Sequence, residues 1–405
     1  MAYDMLAGVK VVELAMYAFA PSAAAVLADW GAEVVKIMPP AGGDPMANPK
    51  GIAGLPDKDV GISFMWEQLN RGKRCIVLDV AKPEGRDILF RMLEDADVFI
   101  THLLPKARAK MGIDVDDLLT AFPRLIYGRA TGHGPKGPEA PLGGFDHTDF
   151  WARSGMAHAA SLASDEFVPQ PGPALGDSTS GMFLAGGIAA ALFRRERTGK
   201  GGVVDVSLLS SATWAFGPGI VASKLFDVDT IPRLRHADQP AATVAAYRTR
   251  DGREIYFAGV PSDKVFAELA AAFGAPELAS DPRFADLASR KTNARASIEI
   301  FDAMFARHDL AEWKEKLKGV SIPWAVIQTA REAGDDVQTT ANGYVMDVEG
   351  QASRYALVAS PAQFDGTAPS VKRAPTIGEH SDAVLRELGL NDARIAALRE
   401  GGVIA

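Results

Sequence analysis

Residues able to do covalent chemistry are concentrated in Pro173-Ala-Leu-Gly176-Asp177-Ser-Thr-Ser-Gly181, where a carboxylate follows a glycine and precedes a helical run of small residues. An Asp in this setting has two uses. As an N-cap it accepts a backbone N–H and does nothing further. As a nucleophile it would be held ionised by the helix dipole, beside N–H groups able to stabilise an oxyanion, and would attack a carbonyl carbon to form a covalent acyl intermediate. Gly176 would then leave room for a bulky substrate to approach the carboxylate. The residues alone leave both uses open.

Other signals carry less. The single cysteine, Cys75, sits in Lys73-Arg74-Cys75-Ile76-Val77-Leu78, a pattern of a strand entering the core, where a free Cys acts as a small hydrophobe. With one Cys there is no intrachain disulfide and no Cys-based zinc site. The seven histidines are scattered, with no pair at metal-ligand spacing, so no metal is expected. Gly132-His-Gly134-Pro-Lys-Gly137 fits a dinucleotide fingerprint in letters only, because Pro135 and Pro138 prevent it from opening a helix. No Gly-x-Ser-x-Gly elbow is present.

The elements that must position Asp177 read as an α/β fold. Val9–Leu14, Glu33–Ile37, Cys75–Val80, Val98–Thr101, Leu125–Arg129 and Val203–Ser207 are β-branched or apolar runs suited to strands. Between them lie helical segments: one opened by Pro21 and closed by Gly31, then Pro83–Glu94, then Ser178 to about Arg195. Strands alternating with helices predict a parallel sheet covered on both faces. The texture changes near Phe226, with a hairpin turning at Asp251-Gly252 and three further helices. The expected division is 1–225, a smaller α+β region over 226–326, and a return to the large domain over 327–405.

Lys and Arg number 43 against 51 Asp and Glu, a net charge of −8, so no global basic field for nucleic acid or an anionic membrane exists. An anionic ligand must be met by local basic groups, and Arg71, Lys73, Arg74, Lys106, Arg108 and Lys110 supply two such runs. The start of the chain lacks the basic and apolar regions of a signal peptide, and Met182–Phe193, about a dozen residues, is too short to span a bilayer. A cytoplasmic location is expected.

The segments Leu6–Leu14, Trp30–Ile37, Asn70–Asp79, Leu175–Gly181, Arg197–Gly201, Val203–Ser207 and Arg373–His380 occur in the order found in family III CoA-transferases, which the chain resembles nearly end to end. The resemblance implies a Rossmann-like large domain built from both chain ends, an inserted small domain, and two chains interlocked as a homodimer. It also implies coenzyme A as co-substrate, with no permanently bound cofactor, and acyl-CoA and carboxylic acid substrates. Asp177 matches the family's nucleophile. Asn70, Lys73, Arg74, Lys110, Tyr17 and Ala18 are the implied CoA-side contacts, although Met16, Tyr17 and Pro39 depart from the residues relatives place there. Gly132 and Gly134 match a glycine lid segment, and Phe145, Asp146, His147 and Gly176 fall beside the implied substrate site.

α-Methylacyl-CoA racemases share the fold and place a His where this chain has Gly144-Phe145-Asp146, so transfer is the expected reaction; a non-catalytic CoA-binding homologue is the further alternative. The stretch Gly143–Gly155 resembles the branch acting on 2-hydroxy acids such as phenyllactate or 2-hydroxyisocaproate. Phe145, Phe150 and Trp151 would wall an apolar acyl pocket.

Overall fold

Six strands form one wholly parallel sheet, and their order is what creates a site. In chain order the elements are β1 (Lys10–Leu14), α1 (Phe19–Asp29), β2 (Glu33–Met38), α2 (Phe64–Asn70), β3 (Arg74–Val77), α3 (Pro83–Leu93), β4 (Val98–Thr101), α4 (Pro105–Met111), α5 (Val115–Ala121), β5 (Ile126–Thr131), α6 (Met156–Ser161), α7 (Leu175–Thr198), β6 (Gly202–Ser207), α8 (Leu208–Ala215) and α9 (Gly217–Phe226). The sheet order is β3-β2-β1-β4-β5-β6. Val12 lies opposite Val35 on one side and Phe99 on the other. Because the winding reverses between β1 and β4, the crevice beyond their carboxyl ends is left uncovered, the usual ligand position in such sheets. The computed structural model describes residues 3–41, 43–47, 55–56, 60–162, 164, 166–259, 262–350 and 353–405.

Two apolar layers hold the sheet. One packs Val11, Val34, Val98, Ile100 and Ile126 against α1 and α7; the other packs Val12, Ile37, Ile76, Phe99 and Tyr127 against α3 and the C-terminal helices Ser381–Glu387 and Asp392–Glu400. The alanines of α1 and the small residues of α7 let these helices approach closely: a Cβ on Gly181 would fall 1.9 Å from Ser22 Oγ. Pro21, expected to open the first helix, is instead the third residue of α1. A proline is tolerated there because N–H groups of the first turn have no intrahelical partner. Cys75 is a fully buried core residue, and burial pushes its thiol pKa up.

The chain divides into two compact units, 1–159 with 166–231 and 337–405, and 160–165 with 232–336. In the second, a three-stranded antiparallel sheet (Ala246–Arg248, Glu254–Phe257, Trp324–Val326) supports a core of Tyr247, Phe257, Phe273, Phe301, Phe305 and Trp313. The returning strands Val345–Glu349 and Arg354–Val358 pair only with each other among the described residues and do not extend the parallel sheet.

Candidate active site

The loops after β1 and β4, the glycine segment after β5 and the first turn of α7 converge on a cavity of about 670 Å³ in the first unit. Its walls are mainly apolar: Met16, Phe19, Met46, Met65, Leu103, Leu104, Leu142 and Leu208, with Tyr17 and Phe145. Tyr17 meets Phe145 edge to face at 5.9 Å and His102 at 6.1 Å, so three rings form one aromatic wall.

Asp177 lines this cavity from the third position of α7. The helix begins three residues earlier than the sequence suggests because Ala174 adopts a left-handed conformation (φ 57°) and serves as the N-cap. Asp177 is therefore not a cap, and its carboxylate makes no hydrogen bond among the described residues. Burial pushes its pKa up to about 7, and the neighbouring Asp146 charge adds to the rise. Desolvation disfavours the charged form, against the ionised state that a helix start would favour.

Asp146 is the other end of this arrangement. It opens a π-helical turn, Asp146–Ala152, and is buried. Its Oδ1 accepts the Gly176 N–H at 3.0 Å and its Oδ2 accepts from Gln170 Nε2 at 2.8 Å. Asp146 so pins the residue before Asp177. Gly176 is buried rather than open to substrate: a Cβ there would fall 2.2 Å from Phe150 Cγ and 2.3 Å from Asp146 Oδ1. Glycine is required for packing against Phe150. On the opposite side of α7, the Ser22 hydroxyl lies 3.1 Å from the Asp177 carbonyl oxygen.

The loop after β1 is held by a buried ion network. Lys36 Nζ pairs with Glu13 (2.9 Å) and Asp44 (3.2 Å) and donates to the Ala15 carbonyl at 2.7 Å. Lys73 Nζ pairs with the other Glu13 oxygen at 2.7 Å and donates to the Pro21 carbonyl and to Asn70 Oδ1. Asp44 Oδ1 accepts the N–H of Tyr17 at 3.1 Å, holding that residue at φ 64° on the cavity wall. Burial opposes the charge on Glu13, but Lys36 and Lys73 together keep its carboxyl below the ordinary range. Burial dominates at Lys73, whose pKa falls to about 8.

This network decides where the expected CoA contacts stand. Tyr17, Ala18, Gly132, Phe145, Asp146 and His147 line the cavity with Asp177. Asn70 and Lys73 are buried and bonded to each other and to the protein. Arg71 is paired with Asp29 and Arg74 with Glu387, each through two guanidinium nitrogens. Arg108 reaches the cavity but is tied to Asp114 at 3.0 Å and to the Leu103 carbonyl. Lys106 and Lys110 are exposed on α4, whose residues Pro105, Ala107 and Arg108 line the cavity. Gly134 does not line the cavity; its N–H donates to Thr131 Oγ1 at 3.1 Å, and Gly132 packs against Gly144. Phe150 and Trp151 lie outside the lining: Phe150 is buried under Gly176, and the Trp151 indole donates to the Val168 carbonyl. His102, Met65 and Leu142 were not anticipated. The signal for His102 was its place immediately after a strand, but only the sheet order makes that strand end a binding position.

The sequence profile of CoA-transferase family III matches residues 6–381. The chain belongs to CoA-transferase family III. It is 32% identical over 401 residues to the cinnamoyl-CoA:phenyllactate CoA-transferase of Clostridium sporogenes, covering 98% of this chain and 96% of that protein. It is 30% identical to the (R)-2-hydroxy-4-methylpentanoate CoA-transferase of Clostridioides difficile, covering 99% of both chains. A CAIB/BAIF family protein from Brucella suis has a similar structure, with a TM-score of 0.82, 28% identity, and coverage of 95% of this chain and 99% of that one. This family III chain is a CoA-transferase, with acyl-CoA and a carboxylic acid as its substrate classes and CoA as the group carried. No described helix is long and apolar enough to cross a membrane.

Proposed function

We propose that this CoA-transferase works through Asp177 as a covalent nucleophile and that its acids are monocarboxylates with apolar or aromatic side chains, 2-hydroxy acids among them. The observation carrying this reading is an unbonded carboxylate of raised pKa at the edge of an apolar cavity. An ionised Asp177 oxygen attacks the thioester carbonyl, the C–S bond breaks, and CoA leaves as thiolate from a mixed anhydride. The thiolate attacks the aspartyl carbonyl, expelling the donor acid as carboxylate and leaving an aspartyl-CoA thioester. The acceptor carboxylate attacks that thioester, and the same steps in reverse release its CoA ester and regenerate Asp177. The apolar walls exclude water, which would otherwise hydrolyse the anhydride.

The side-chain preference follows from charge. Among the described residues the lining holds one Lys or Arg, Arg108, and it is already paired with Asp114. A second substrate carboxylate would be buried without a partner, at a cost of several kcal/mol. The names of the two curated relatives above, with phenyllactate and a branched 2-hydroxy acid, support the same class. We assign the CoA phosphates to the exposed Lys106 and Lys110 on α4, and a lid role to Gly132–Gly137. The working unit is a homodimer of interlocked copies, supported by the exposed Trp214, Val221, Leu225 and Phe226 of α8 and α9.

The test is mass spectrometry of the protein after incubation with an acyl-CoA. A CoA adduct on the peptide containing Asp177, absent in Asp177→Ala, is expected. Full transferase activity in Asp177→Ala would sink the mechanism. Exchange of the substrate α-proton for solvent deuterium without an acceptor acid would replace transfer by racemisation.

A further inference from the structure

His102 is the first residue after β4, at the place where the sheet winding reverses, and its ring lines the cavity beside Tyr17. Its Nδ1 accepts the backbone N–H of Met16 at 3.4 Å. A ring nitrogen that accepts carries no proton, so the hydrogen of the neutral ring sits on Nε2. Burial, with the nearby Lys36 charge, lowers the His102 pKa to about 4, so the ring stays neutral throughout the working range of an enzyme at ordinary pH. Nε2 has no hydrogen-bond partner among the described residues. Met16, Tyr17, Leu103 and Leu142 line the same cavity, and of these only Tyr17 carries a polar side-chain group, its hydroxyl.

Among the other polar side chains of the cavity, His147 is exposed and the Tyr17 hydroxyl belongs to the aromatic wall, while three more are already engaged. Asp146 accepts from Gly176 and Gln170, Arg108 is bound to Asp114, and Thr131 Oγ1 accepts from Gly134. A neutral N–H fixed by its backbone bond and facing an apolar space selects for a ligand oxygen placed opposite it. It does so without attracting an anion as a cation would. A ligand lacking that oxygen leaves the donor buried and unmatched, which is how a polar contact in an apolar pocket discriminates between otherwise similar substrates.

We propose that His102 is a specificity-determining residue that donates its Nε2–H to the 2-hydroxyl oxygen of the acid. This inference rests on the reading that the acids are apolar 2-hydroxy acids. The division of labour is then simple: the aromatic wall of Tyr17 and Phe145 takes the side chain, Asp177 takes the carboxyl carbon, and His102 reads the substituent between them.

The test uses a matched pair of acceptors, 3-phenyllactate and 3-phenylpropanoate, with cinnamoyl-CoA as donor, on the full-length enzyme. The wild type is expected to favour phenyllactate in kcat/KM by about 10- to 100-fold. His102→Phe keeps a ring and removes the donor, and it is expected to collapse that ratio towards one, chiefly through the KM for phenyllactate. His102→Gln restores an N–H and is expected to recover part of the ratio. Circular dichroism and melting of each variant verify the fold. Equal losses on both acids in His102→Phe, without recovery in His102→Gln, would show a packing role or a bond to the thioester carbonyl and overturn the proposal. An unchanged ratio would overturn it too. A wild type that transfers CoA to other acids but to neither phenyllactate nor 2-hydroxy-4-methylpentanoate refutes the acceptor class itself, and the role of His102 with it.

Discussion

Replacing the proposed nucleophile, Asp177, should make the folded protein more stable, and the gain should depend on pH. Asp177 is raised from 3.8 to about 7, so the folded state binds its proton more tightly than the unfolded chain does. Stability therefore falls as pH rises from the ordinary carboxylate range to about 7 and is flat above it. At about 1.4 kcal/mol per pKa unit, the fully ionised carboxylate costs the fold at most about 4 kcal/mol, and on the order of 2 kcal/mol once its contact with cavity water is allowed for. Asp177→Asn has the same shape, loses no hydrogen bond among the described residues, and removes the charge. It should abolish adduct formation while raising stability by roughly 2–4 kcal/mol at pH 8, and by less than half as much at pH 5. For a chain of this length that is a rise in melting temperature of roughly 2–4 °C at pH 8, readable by differential scanning fluorimetry across a pH series. A variant less stable than wild type at pH 8, or a gain that stays constant between pH 5 and 8, would refute the claim that this carboxylate is held in an environment hostile to its charge.

The rate of adduct formation in single turnover should rise with pH to a plateau above about 7, and Asp146→Asn should move the midpoint to lower pH by removing a neighbouring charge; an upward or absent movement contradicts that coupling. Gly176→Ala should destabilise by about 1–3 kcal/mol or more and slow adduct formation, because its Cβ would lie 2.2 Å from Phe150 Cγ; melting and single-turnover rates measured together check both effects. Lys36→Met should cost about 3–5 kcal/mol by leaving Glu13 and Asp44 short of a cation, measured by denaturant unfolding. Lys73→Met should likewise lower stability, whereas a raised KM for CoA at unchanged stability would return Lys73 to the phosphate side. Lys110→Ala should raise the KM for acyl-CoA with stability within about 0.5 kcal/mol of wild type, as for other surface changes.

The strands were legible because a parallel sheet covered on both faces needs β-branched, mostly apolar runs, which Val9–Leu14 and Val203–Ser207 show even though Lys10, Glu13 and Asp205 interrupt them. Asp177 was legible as a carboxylate opening a small-residue helix, but its exact place was not, since that depends on Ala174 accepting a positive φ. Charge was the least legible property. Arg71, Lys73 and Arg74 form a dense basic run, yet their partners Asp29, Glu13 and Glu387 come from the end of α1, from β1 two strands away in the sheet, and from the helix Ser381–Glu387. Nothing local in the sequence distinguishes a lysine facing phosphate from one buried against a distant carboxylate.

That spending of charge inside the fold also shapes the site. Lys36, Lys73, Glu13 and Asp44 neutralise one another beneath the loop after β1, so they position Tyr17 and Ala15 without presenting a net cation to the cavity. Arg108 is cancelled in the same way by Asp114. Facing the cavity beside the rings are Asp177, whose charge desolvation disfavours, Asp146, already bonded to Gly176 and Gln170, the neutral His102, and His147. Such a surface is poor at holding a free carboxylate in its depth. It is suited to a carboxyl group that surrenders its charge on becoming a thioester or anhydride, as the proposed transfer through Asp177 requires when each acid is bound covalently. The lone lysines of α4 lie outside that environment, where a phosphate can keep its charge and its water. On the proposed reading, a mainly apolar cavity for the acyl part and the exposed lysines of α4 for the phosphates separate the two halves of an acyl-CoA by their chemistry, and the pairing that leaves the cavity without a free cation becomes visible only once the chain is folded.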